Sequence, residues 1–228
     1  MSRKGGESAV ANAEAQIRVA AFGDSLTFNN GRLKWKHWTE ILMERFNLEI
    51  INAGVGGDTT AKGLKRIQSD VLEHNPDIVL INFGMNDHVK AGKYVEIVSL
   101  ADYERNLRKM IELVRTAGSV PVLITVSYIY EGDAANTDEN YYYNRHDPAY
   151  YAADGGALAR LDKYIGAMRK VARELDVPLA DVRAACDQYD PREFTRDGVH
   201  LSALGNQVWA QVIGDCLADY VLPGLSQN

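Results

Sequence analysis

Residues 17–26 read I-R-V-A-A-F-G-D-S-L. Ile17–Phe22 is a short run, apolar apart from Arg18, and Gly23-Asp24-Ser25-Leu26 breaks it with turn residues. A run of this kind suits a strand covered on both faces, as in a parallel sheet. Four more runs follow, Leu48–Asn52, Asp77–Phe83, Val120–Val126 and Val177–Val182. Amphipathic stretches separate them. In residues 102–117, Tyr103, Leu107, Met110, Ile111 and Val114 are spaced 4, 3, 1 and 3, which makes one apolar stripe, and Gly118 follows as a stop. Further helices are expected at 35–47, 59–74, 157–175 and 202–220. Alternation of strand and helix predicts an α/β fold, an open doubly wound parallel sheet of about five strands with right-handed crossovers and helices on both faces.

The 228 residues suit one domain with a substantial core. Residues 1–16 read as a polar tail and 17–222 as the domain. No apolar run is long enough to span a bilayer. Residues 5–16 are polar rather than a secretory leader, so a cytoplasmic protein without stable membrane association is expected. The net charge of −6 argues against a nucleic-acid partner. Cys186 and Cys216 lie in no C-x-x-C pair and read as buried thiols. No metal-ligand spacing and no glycine-rich nucleotide fingerprint is found, so neither metal nor cofactor is expected. Homo-oligomerisation is left open.

One stretch breaks the rhythm. Residues 127–156 form a long polar insert carrying Tyr128, Tyr130, Tyr141, Tyr142, Tyr143, Tyr150 and Tyr151. Insertions of this length in a compact domain are usually functional or mobile. The tyrosines could stack on sugar rings, pack the insert or form a subunit contact.

In open parallel sheets the site lies beyond the carboxyl ends of the strands. The first run is followed by Gly23-Asp24-Ser25-Leu26, and the second leads into N-A-G-V-G-G-D-T at 52–59. After the third comes Gly84-Met85-Asn86-Asp87, and beyond the fifth comes Asp197-Gly198-Val199-His200. These groups suit acyl transfer. A serine hydroxyl needs a base to take its proton, and imidazole titrates near neutrality. Asp197 can fix the tautomer of His200. The backbone N–H groups of Ser25 and Gly57 and the amide of Asn86 are candidate oxyanion donors. Asp24, His88 and Tyr143 are candidate substrate contacts. His37 and His74 read as packing or helix-end residues, His146 as part of an exposed loop, and Asp58 or Thr59 as a helix cap.

With these four blocks in this order, the sequence resembles the GDSL, or SGNH, hydrolase superfamily. The resemblance implies Ser25, Gly57, Asn86 and His200 as signature residues, with Asp197 completing a triad, and a flavodoxin-like strand order 2-1-3-4-5. It implies a serine esterase working through an acyl-enzyme. The serine is not in a G-x-S-x-G elbow, which argues against a standard α/β-hydrolase. The polar, tyrosine-rich insert favours a short-chain ester, such as an acetylated carbohydrate, as the small-molecule substrate. The alternatives are a lysophospholipase or thioesterase on longer chains, an acyltransferase, and a non-catalytic carbohydrate-binding protein on the same scaffold.

Overall fold

The computed structural model describes residues 16–132 and 142–225. Its centre is a five-stranded sheet of β1 (Arg18–Gly23), β2 (Glu49–Gly54), β3 (Ile78–Asn82), β6 (Val120–Ile124) and β7 (Leu179–Ala180). All pair in parallel, in the spatial order β2-β1-β3-β6-β7, which is 2-1-3-4-5 counted within the sheet. Between β3 and β6 lies a small antiparallel hairpin of β4 (Lys90–Gly92) and β5 (Val95–Glu96).

Alternation along the strands sends side chains to two cores. Val19 and Ala21 of β1, Ile78 and Leu80 of β3, and Val122 and Ile124 of β6 face α1 (Trp38–Phe46) and α7 (Ala203–Tyr220). Ala20, Phe22, Val79, Ile81 and Leu123 face α2 (Thr60–Asp70), α3 (Leu100–Thr116) and α4 (Ala157–Glu174). The inner strands β1, β3 and β6 are almost wholly apolar because both faces of the sheet are covered there, whereas the edge strand β2 carries exposed Glu49 and Asn52. The expected stripe of α3 is its buried face.

Two expectations are corrected. The run Val177–Val182 pairs only over Leu179–Ala180. Pro178 has no N–H to donate, and Asp181 turns its carboxylate onto Ala184 N at 3.3 Å, starting α5 (Val182–Cys186) where the strand was expected to continue. The helix expected over 59–74 ends as α2 at Asp70, and a 3₁₀ turn at Leu72–His74 completes it. The insert is described only over 127–132 and 142–156. Tyr141 lies outside the described residues.

Glycine fixes how the first turn meets the sheet. A Cβ on Gly54 would stand 2.3 Å from the backbone nitrogen of Phe28, so the chain after Ser25 packs directly on the end of β2. Gly54→Ala is expected to destabilise the fold by about 2 kcal/mol, in the range for overpacking against a rigid neighbour. Urea unfolding at neutral pH measures it, and an unchanged midpoint would show that the turn yields.

Candidate active site

The four blocks expected from sequence meet at the carboxyl edge of β1, β2 and β3. After β1, the Asp24 carbonyl accepts from Thr27 N at 3.1 Å and Phe28 N at 2.9 Å, and its Oδ1 accepts from Leu26 N at 2.9 Å. These bonds close a tight turn with Ser25 at its crest. Leu26 O is in turn held by the Trp38 indole N–H at 2.9 Å. His37 also approaches this carbonyl, with its Nε2 at 3.3 Å. It is buried, caps α1 and borders the cavity beside Ser25.

The second polar segment is built as a self-bonded loop. Arg196 N donates to His200 O at 2.8 Å, and Gly198 adopts a φ of 81° that glycine tolerates. Asp197 Oδ1 accepts from Val199 N at 3.1 Å and His200 N at 2.8 Å, leaving Oδ2 for the imidazole Nδ1 at 2.7 Å. The other ring nitrogen, Nε2, lies 3.1 Å from Ser25 Oγ. A carboxylate can only accept, so Nδ1 carries the hydrogen and Nε2 presents its lone pair to the serine. Burial pushes the Asp197 carboxyl up, but the hydrogen bonds from His200 outweigh it together and hold it below the ordinary carboxylate range. The arrangement is a hydroxyl bonded to a base, which is bonded to an ionised acid.

Gly57 and Asn86 line the same cavity as Ser25 and His200. Gly57 has a φ of 76°. Neither its N–H nor that of Ser25 meets an acceptor among the described residues. Asn86 Nδ2 donates to Asp58 O at 2.9 Å and to Asp24 Oδ2 at 3.1 Å. This frame fixes which face of the amide carries the hydrogens. Asp87 ties the same loop to α2, accepting from Thr60 N at 2.9 Å. Thr59, one of the two expected caps, caps that helix.

None of the three expected substrate contacts lines the two cavities at Ser25. Asp24 is fully buried because its carboxylate is consumed by the turn and by Asn86. His88 is fully buried, with Nε2 2.9 Å from the Tyr142 hydroxyl. Tyr143 donates its hydroxyl to Glu131 Oε1 at 2.6 Å and accepts from Ala157 N, which pins the insert to α4. Tyr128 and Tyr151 are buried too, so the tyrosines mainly pack the insert. Tyr142 reaches the cavity, and His146 stacks on it with ring centroids 4.3 Å apart.

Sequence reading also missed Arg66. Its guanidinium bonds Gly23 O at 2.9 Å, Ala53 O at 2.8 Å and Asp58 Oδ2 at 2.7 Å, while lying over the Phe22 ring. It clamps the ends of β1 and β2 to the Gly57 loop. On a helical face, such an arginine looks like any solvated cation.

Burial raises the Asp24 carboxyl to about 7, and Asp87 to about 6. A raised carboxyl favours folding below its unfolded pKa, and that stability is lost as pH rises through the folded one. For Asp24 the window runs from about pH 4 to about pH 7. His37 and His88, lowered to about 4 and about 3 by burial, oppose this below pH 6.5, so a difference measurement is needed. Asp24→Asn places an amide against Asn86, a cost at every pH. The gap in unfolding free energy between wild type and variant is expected to shrink by about 2 to 3 kcal/mol between pH 5 and pH 8. Parallel pH curves would mean that Asp24 does not titrate in this window.

Two cavities, of about 270 and 260 Å³, flank the Ser25–His200 pair, which lines both. Among the described residues, no three His, Cys, Asp or Glu side chains form a metal cluster. Cys186 and Cys216 are free and buried.

Comparison with known proteins matches residues 21–208 to the GDSL-like lipase/acylhydrolase family. This chain belongs to that family. The match covers most of the chain and all four blocks, and it identifies a carboxylic ester hydrolase. The uncharacterized lipoprotein YqeF of Bacillus subtilis is 38% identical over 170 residues, 72% of this chain and 69% of the relative. An isoamyl acetate-hydrolyzing esterase 1 homolog of Mus musculus is 30% identical, covering 83% and 77%. A crystal structure of a catalytic mutant of the acetylxylan esterase of Geobacillus stearothermophilus shares the fold, with a TM-score of 0.69 and 21% identity over 88% of this chain and 94% of that one. No described helix of this enzyme is long and apolar enough to cross a membrane.

Proposed function

We propose that this enzyme hydrolyses short-chain carboxylic esters through an acyl-enzyme on Ser25, with acetylated carbohydrates as the substrate class. The chain of bonds Asp197–His200–Ser25, at 2.7 and 3.1 Å, carries the reading. His200 Nε2 takes the Ser25 proton as Oγ attacks the ester carbonyl, forming one C–O bond. The tetrahedral oxyanion is met by the N–H groups of Ser25 and Gly57, and by the Asn86 amide once one of its two hydrogens turns from Asp24 Oδ2 or Asp58 O. Each such donor is worth about 3 kcal/mol in the transition state. Collapse breaks the bond to the alcohol, which leaves with the proton from His200. Water, activated by the same imidazole, then releases the acid. Asp197 keeps the ring in the tautomer that both steps need.

The two flanking cavities give acyl and alcohol portions separate room. The alcohol is expected to dominate recognition, in keeping with the polar wall around Asn29, Asn30 and Arg196. The acetate ester in the name of the mouse relative points the same way. A cytoplasmic location is part of the proposal, and cell fractionation checks it. The test of the chemistry is twofold. A fluorophosphonate is expected to add one adduct, located at Ser25 by peptide mass spectrometry; an adduct elsewhere overturns the nucleophile. Across p-nitrophenyl esters, kcat/KM is expected to fall steeply beyond butyrate. A maximum at about eight carbons would instead mark an enzyme for long acyl chains.

A further inference from the structure

The cavity on the Arg196 side differs from its surroundings in charge. The chain carries a net −6, yet residues 28–33, which supply much of this wall, hold Arg32 and no acid. Arg32 and Arg196 both line the cavity with Ser25 and His200, and no carboxylate does. Arg45, Arg169 and Arg183 each close on a carboxylate. The guanidiniums of Arg32 and Arg196 have no hydrogen-bond or ion-pair partner among the described residues.

The neutral polar groups of the wall are biased the same way. Asn29 turns its side-chain oxygen to Gly31 N at 2.9 Å, and Asn30 turns its own to Arg32 N at 3.2 Å. Their acceptors are spent on the backbone, so the amide hydrogens are what remain for a ligand. His37, at the floor, is kept neutral by burial. The wall thus offers two guanidiniums and two amide donors. Guanidinium forks match carboxylate and phosphate oxygens in pairs.

We propose that this cavity receives an anionic group, a carboxylate or a phosphate monoester, on the alcohol portion of the substrate. The inference rests on the ester-hydrolase reading above and narrows it: the alcohol released by Ser25 chemistry carries a fixed negative charge. The anion sits on Arg32 and Arg196, which holds the ester oxygen beside His200.

The experiment compares two acetate esters alike in shape and leaving group, 4-acetoxybenzoate and its neutral amide, 4-acetoxybenzamide. Wild type is expected to favour the benzoate in kcat/KM by about tenfold at low salt, with the preference falling as salt screens the pair. Arg32→Gln with Arg196→Gln is expected to bring the ratio towards one, and Arg196→Glu to invert it. Both side chains are exposed, and circular dichroism confirms that the variants fold. Inhibition of benzamide-ester hydrolysis by phenyl phosphate or by benzoate shows which anion seats better. Turnover of both esters at equal rates, dependent on Ser25, overturns the anion site and leaves the esterase standing. A preference that survives the arginine substitutions also overturns it. Turnover of neither ester would remove the short-chain acetate reading, and this inference with it.

Discussion

Ser25→Ala is expected to lower kcat for p-nitrophenyl acetate by about 10⁶-fold, or about 8 kcal/mol of transition-state stabilisation. The size follows from what the substitution removes. Ser25 Oγ is the atom 3.1 Å from His200 Nε2, and it makes the covalent bond to the acyl carbon in the mechanism proposed here. Without it the base has only water to activate, and water is not fixed at the crest of the turn. The remaining groups, His200, Asn86 and the N–H of Gly57, retain some transition-state binding, so turnover should stay above the uncatalysed rate. The fold should be unaffected, because the turn is closed by backbone and Asp24 bonds that the hydroxyl does not share. Matching thermal midpoints with matching rates would place the nucleophile elsewhere.

Much of this site was legible because its signals are local. Each polar block follows an apolar run, and parallel strands deliver their carboxyl ends to one edge, so chain order alone predicts the meeting of Ser25, Gly57, Asn86 and His200. Asp197 was legible for the same reason, since three residues of turn bring it back onto the ring. The residues that sequence misplaced depend on distant partners. Asp24 neighbours the nucleophile, but whether it faces substrate or protein is decided by Asn86, sixty-two positions away. His88 looked like a rim residue until the insert folded Tyr142 over it. Arg66 has no local mark at all: its acceptors are carbonyls at the ends of two other strands. The shortened β7 failed by composition, as Val182 suits a strand while Asp181 caps a helix there. Charge at the cavity mouth was hidden in a different way. The overall charge is acidic, and only the fold shows that Arg32 and Arg196 reach one cavity that no carboxylate lines.

Asp197→Asn separates the two tasks of the carboxylate. Oδ1 fixes the loop through Val199 N and His200 N, and an asparagine oxygen can keep both bonds. Oδ2 accepts the Nδ1 hydrogen of His200, and the asparagine NH₂ placed there would itself be a donor. The imidazole must then present a lone pair at Nδ1 and carry its hydrogen at Nε2, the atom facing Ser25. A ring in that tautomer cannot take the serine proton. The loss in kcat is expected to be about 10⁴-fold, or about 5 kcal/mol, with KM little changed, because no substrate contact is removed. The wild-type carboxyl lies below the ordinary range, so Asp197 stays ionised at neutral pH. A variant retaining a tenth or more of wild-type kcat would show that Asp197 only shapes the loop. A 10⁴-fold loss in a protein of unchanged stability would show that it sets the proton on the ring.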